Sequence, residues 1–242
     1  MSQNLDCVHT KECKDLLFLH GYLSSYKTFI YQINYFEKNY NVHAFDLKGF
    51  GENKGMQHPY SLGDYLEEVK EYLYKNSIKK PLVIAHSFGA RIAVKGASEN
   101  SDLFDKMVLT GAAGLKPKPS IKKAVKKAVF NSLKTVIPKE NLTRFYSKDY
   151  QQLDSVMKES FKLIINENLD GVLNKIQTPT LLIFGKEDKE TPLYMAKRYH
   201  KGLINSQLVV IKNAGHFAFI DKPHKFNREV EEFLLRNKNV SV

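Results

Sequence analysis

Six short apolar runs, each separated from the next by a longer stretch with helical periodicity, constrain this chain more than any other feature. The runs are residues 16–19, 42–45, 82–85, 107–109, 181–184 and 208–211. Each is uninterrupted and bounded by Gly, Pro, Asn or charged residues, as strands buried on both faces of a parallel sheet are. Between them, Tyr65, Val69 and Leu73 recur at helical spacing, as do Val230 and Leu234. Strand–helix alternation predicts an α/β fold: a mostly parallel central sheet with helices on both faces. Right-handed crossovers then bring the strand C-termini to one edge, where sites form.

One segment breaks the rhythm. Residues 115–168 contain no strand-like run. Ile121, Val125, Ala128, Ser132 and Val136 share one helical stripe, and Leu153, Met157, Phe161 and Ile164 share a second. The expectation is a core of residues 1–114 and 169–242 with a helical cap (lid) insertion at 115–168, hinged near Pro117 and Pro119 and near Leu169. The 242-residue length accommodates one domain with such an insertion.

The charge is uneven in the same place. Residues 115–150 hold nine lysines and one arginine against Glu140 and Asp149, a net +8 of the chain's +11. Three readings stay open for that charge: the solvated flank of a packed cap helix, which is favoured; attraction of anionic substrates; and contact with a membrane. No nucleic-acid motif accompanies it, so no nucleic-acid partner is expected. No run approaches the roughly 20 apolar residues of a membrane span, and residues 1–15 lack a signal-peptide core. The expected setting is the cytoplasm. Cys7 and Cys13 build neither a disulfide framework nor a metal site, and are read as unpaired. Oligomeric state is open.

The chemistry centres on Val83-Ile84-Ala85-His86-Ser87-Phe88-Gly89-Ala90. A buried strand runs straight into a serine, and a helix follows. In a nucleophile elbow the serine occupies a strained tight turn, so the residues two before and two after must be small. Gly89 meets this, and Ala85 meets it less comfortably. The bland reading is a serine capping a helix. A serine hydroxyl needs a base, and the base needs an orienting carboxylate, in the chain order serine, acid, histidine. The next-to-last apolar run leads to Gly185-Lys186-Glu187-Asp188, and the last to Ala214-Gly215-His216-Phe217. The candidates are therefore Ser87, Asp188 and His216, with Glu187 the runner-up acid and Asp105 and Asp154 behind it. Backbone N–H groups of Phe88 and Tyr22 are the candidate oxyanion donors, with Gly21 permitting the turn before Tyr22. His20 is read as a loop-packing residue.

Together, His20-Gly21, Asp46-Leu47-Lys48-Gly49-Phe50-Gly51, Ala85-His86-Ser87-Phe88-Gly89, Gly185-Lys186-Glu187-Asp188 and Gly215-His216-Phe217 resemble the α/β-hydrolase superfamily along the whole chain except the cap. The resemblance implies a sheet of about eight strands, here shortened at its N-terminal end. It implies a serine hydrolase acting on a small ester-like or thioester-like molecule, without cofactor or metal. C–C bond cleavage, lyase chemistry and a non-catalytic binding module on the same fold are the alternatives. Relatives with an aspartate nucleophile, the haloalkane dehalogenases and epoxide hydrolases, are disfavoured by Ser87 and the absence of Trp.

Overall fold

The computed structural model describes residues 13–118 and 153–236. All six expected strands form: β1 (Asp15–Leu19), β2 (Asn41–Ala44), β3 (Leu82–His86), β4 (Lys106–Thr110), β5 (Thr180–Gly185) and β6 (Ser206–Ile211). They make one sheet in the order β2-β1-β3-β4-β5-β6, every neighbouring pair parallel. The expectation of about eight strands is corrected to a six-stranded sheet among the described residues.

The strands show why uninterrupted apolar runs mark parallel sheets. Alternate residues of a strand point to opposite faces. Leu17, Leu19, Val83, Ala85, Met107, Leu109, Leu182 and Phe184 all enter one core layer. Their neighbours Leu16, Phe18, Leu82, Ile84, Val108, Leu181 and Ile183 enter the other. Helices α2 (Leu62–Lys75), α3 (Phe88–Glu99) and α5 (Leu193–Gly202) cover the first face. Helices α1 (Ile30–Phe36), α6 (Ala218–Asp221) and α7 (Pro223–Leu235) cover the second. The exceptions are the edge strands β2 and β6, which are only partly buried.

Helix α2 starts at a reciprocal capping box. The Ser61 hydroxyl accepts from the Asp64 N–H, and the Asp64 carboxylate accepts from the Ser61 N–H. Its predicted stripe Tyr65, Val69 and Leu73 is buried. Lys106 is buried on β4 and donates to the carbonyls of Phe233 (3.0 Å) and Leu234 (2.8 Å), capping the C-terminus of α7. Of the expected cap, residues 115–118 and 153–168 are described; the stripe from Ile121 to Val136 lies outside the described residues. Helix α4 (Ser155–Asn166) carries the second stripe, with Met157 and Ile164 buried. Asp154 caps it, accepting from the Met157 N–H at 2.7 Å. Cys13 is disulfide-bonded, so the expectation of an unpaired thiol there does not hold. Among the described residues, no helix is long and apolar enough to cross a membrane.

Candidate active site

Ser87 sits between β3 and α3 with φ 50° and ψ −101°. A β-substituted residue is strained in that region, and the surroundings must hold it there. Its N–H bonds to the Thr110 carbonyl (3.0 Å) and its carbonyl accepts from the Ala113 N–H (3.3 Å), so the loop after β4 grips it on both sides. The requirement for a small residue two positions on is explicit. A Cβ on Gly89 would lie 2.3 Å from the Leu19 carbonyl oxygen, because α3 starts against the end of β1. Ala85 is fully buried in β3, and its methyl is accommodated.

Asp188 and His216 meet. Asp188 Oδ2 lies 2.9 Å from His216 Nδ1. The Asp188 side chain has no exposed surface, and that of His216 is 15% exposed. Asp188 also accepts from the Glu190 and Thr191 N–H groups at Oδ1, both at 2.9 Å, and from the Thr191 hydroxyl at Oδ2 at 2.7 Å. Burial alone would raise the Asp188 carboxyl. The donors from His216 and Thr191 outweigh it and hold the carboxyl below the usual range. An ionised Asp188 accepts from Nδ1–H of His216, which leaves Nε2 as the basic nitrogen.

Ser87 is linked to this pair through its neighbours. Gly111, next to the Thr110 that binds Ser87, has φ 51°, and a Cβ there would lie 3.0 Å from His216 Nδ1. The His216 ring also packs on His86, the residue before Ser87, with centroids 4.6 Å apart. The other acids lie elsewhere. Glu187 Oε2 accepts from the Ala214 N–H (3.0 Å), bracing the loop that carries His216. Asp105 pairs with Lys14, and Asp154 caps α4.

The loop that carries the candidate donor Tyr22 is packed against the turn at Ser87. A Cβ on Gly21 would lie 2.7 Å from His86 Nδ1 and 3.7 Å from Ser87 Cβ, so only glycine lets the chain pass. Tyr22 follows; its ring packs edge-on to Phe88 at 5.7 Å, and its hydroxyl donates to the Met157 carbonyl of α4 at 3.3 Å. Phe88 opens α3, where first-turn N–H groups have no partner within the helix. His20 is fully buried. Its Nδ1 donates to the Gly21 carbonyl (2.8 Å) and its Nε2 accepts from the Leu47 N–H (3.0 Å). Burial lowers its pKa, and both ring nitrogens are occupied in holding loops together.

Two residues escaped the sequence reading. Thr191 surrounds the Asp188 carboxylate with its N–H and its hydroxyl. The signal was present in Asp188-Lys189-Glu190-Thr191-Pro192, an Asp followed by donors two and three residues on, as in Asx turns. Arg91 on α3 donates to the carbonyls of Ile164 (2.7 Å) and Glu167 (3.1 Å) at the end of α4. Nothing local in the sequence pairs those positions. Among the described residues, no group of three or more His, Cys, Asp or Glu could hold a metal ion.

A model of the alpha/beta hydrolase family matches residues 16–229. The AB hydrolase superfamily protein YisY of Bacillus subtilis (strain 168) is 26% identical over 245 residues, covering 91% of both chains. The putative esterase/lipase 2 of Mycoplasma pneumoniae is 25% identical, covering 93% of this chain and 91% of its own length. Among solved structures, the meta-cleavage product hydrolase CumD of Pseudomonas fluorescens IP01 matches with a TM-score of 0.71 at 24% identity, covering 91% of this chain and 90% of that one. That last likeness is one of fold.

Proposed function

The chain belongs to the alpha/beta hydrolase family, and on that premise we propose that it is a serine hydrolase that cleaves a small ester-like or thioester-like substrate through an acyl-enzyme on Ser87. The observation that carries this reading is the Asp188–His216 pair at 2.9 Å, with its carboxylate buried, together with a serine held at φ 50° after β3. His216 Nε2 takes the Ser87 hydroxyl proton as Oγ attacks the carbonyl carbon. The Phe88 and Tyr22 N–H groups receive the developing oxyanion. His216 then returns the proton to the leaving alcohol or thiol, and water repeats the sequence to free the acid. Asp188 stays ionised throughout and holds the imidazole tautomer. Helix α4, in the described part of the expected cap, forms one wall of the acyl pocket in this reading. The esterase/lipase name of one relative agrees in class.

The test is a panel of p-nitrophenyl esters of increasing chain length beside acyl-CoA thioesters, with a fluorophosphonate label mapped by mass spectrometry. The label is expected on Ser87. Ser87→Ala is expected to lose it, together with turnover by about three orders of magnitude or more, while still folding. A label on another serine, or undiminished turnover in Ser87→Ala, overturns the assignment. A wild-type protein that labels at Ser87 yet cleaves neither ester nor thioester is a C–C bond hydrolase, a lyase or a binding module of the same family.

A further inference from the structure

His86 precedes the nucleophile, is fully buried, and touches both arms of the site. On one side its Nε2 lies 3.2 Å from the backbone carbonyl oxygen of His216. A carbonyl only accepts, so Nε2 carries the hydrogen and donates it. On the other side Nδ1 faces Gly21, in the space that a Cβ there would occupy at 2.7 Å. With Nε2 protonated, Nδ1 is a bare acceptor, and it is buried with no hydrogen-bond partner. The ring is wedged further by His216 at 4.6 Å, Phe217 at 4.8 Å and Phe219 at 5.1 Å.

We infer that His86 is a positioning residue: its imidazole spaces the oxyanion loop from the base loop, and its Nε2–H holds the His216 main chain in register with Ser87. The inference rests on the serine-hydrolase reading of the site. A hydrocarbon ring could fill the same space without leaving a buried nitrogen unpartnered, so shape alone does not account for a histidine. What a histidine adds is one donor, aimed at the carbonyl of the base itself. That donor is constant. Burial, with His216 close by, pushes the His86 pKa down to about 3. The ring therefore stays neutral wherever His216 works, and no second imidazolium forms against the cation that His216 becomes in the transition state.

The experiment compares His86→Phe, which keeps a ring and loses the donor, with His86→Gln, whose amide nitrogen can replace Nε2–H. His86→Phe is expected to lower kcat about 10- to 100-fold, the scale of a misplaced catalytic group. KM should stay within about threefold, because no substrate contact is lost. His86→Gln is expected to restore most of kcat. The rate of fluorophosphonate labelling at Ser87 should follow the same order. Equal activity in both variants, whether high or low, overturns the inference, since the donor would then not matter. The two readings fail separately. If the wild type does not label at Ser87, the hydrolase reading fails; if it labels and His86→Phe labels as fast, only the role of His86 fails. Should His86→Phe not fold, nitrogen-15 NMR of histidine-labelled wild type decides. A neutral His86 protonated at Nε2 between about pH 5 and 9 is expected, and an Nδ1–H tautomer overturns the inference.

Discussion

The loops that carry Asp188 and His216 and the helix α4 both reach neighbours of Ser87, the loops through His86 and the helix through Tyr22, yet they are held in opposite ways. The acid and base loops are registered by main chain. The Lys186 N–H bonds to the Ile211 carbonyl (2.8 Å), the Glu187 N–H to the Ala214 carbonyl (3.0 Å), and the Asp188 N–H to the Gly185 carbonyl (3.3 Å). Gly185 is so close to the partner loop that a Cβ would lie 2.1 Å from the Gly215 carbonyl oxygen. Helix α4 is tied down by side chains reaching across. The Tyr22 hydroxyl donates to the Met157 carbonyl, Ser160 Oγ accepts from the Tyr60 N–H at 2.8 Å, and Arg91 binds its last turn. Lys95 adds an ion pair to Glu167 at 2.8 Å. The acid and base loops are thus registered largely by backbone, with the Glu187 and His86 side chains as added braces. Helix α4 hangs on individual side chains, which single substitutions can retune.

The sharpest test of this division lies within one loop. Asp188 and Glu187 are adjacent carboxylates with different partners. Asp188→Asn should cost about 10⁴-fold in kcat, because an amide that donates to Nδ1 favours the wrong imidazole tautomer. Glu187→Gln keeps an oxygen for the Ala214 N–H and should cost less than about tenfold, the loss of charge on one hydrogen bond. Steady-state kinetics on one p-nitrophenyl ester ranks them. The reverse ranking would mean that bracing the base loop outweighs orienting the imidazole, and the division would fail.

A smaller effect is expected at the cap. Arg91→Leu removes both bonds to the end of α4 and leaves the Lys95–Glu167 pair in place. Hydrogen bonds from a charged donor contribute about 1.5–3 kcal/mol, so the melting temperature should fall by several degrees. The kinetic signature should be selective. KM for long-chain esters should rise severalfold, while kcat for a short acetate ester should change by less than about threefold. If short and long esters suffer alike, the anchor supports the catalytic edge itself, and the two regions are not separable.

The same contrast explains what the sequence revealed. The four central strands were legible because each is buried on both faces, and an apolar run records that without knowledge of neighbours. The Asp188–His216 contact was legible because each residue follows a strand, and the parallel topology turns chain order into proximity. Arg91 was not legible, since its acceptors are carbonyls 73 and 76 residues away that carry no side-chain signature. The half-exposed face of β6 was hidden for a related reason. Gln207 alternates with Leu208, but edge position depends on strand order, which a single sequence does not display.

The smallest effect is expected from the lysines of the cap. Lys122, Lys123, Lys126 and Lys127 lie outside the described residues, so the argument is from charge alone. They form the densest part of the net +8 between residues 115 and 150. Such charge acts through a screened field and not through a contact, and the Debye length at 0.1 M salt is about 10 Å. Replacing all four with glutamine should therefore leave kcat/KM for a neutral ester within about twofold at any ionic strength. An anionic ester of matched size separates the readings. If the lysines are a solvated helix flank, as expected, it too should change by less than about twofold at 0.1 M salt. If they steer substrate, its kcat/KM should fall at low salt and its salt dependence should flatten, while the neutral ester is untouched. That result would break the comparison in an instructive direction, giving the cap a long-range function that none of its anchoring side chains supplies. Loss of binding to anionic vesicles with both esters unchanged would instead assign the charge to a membrane surface.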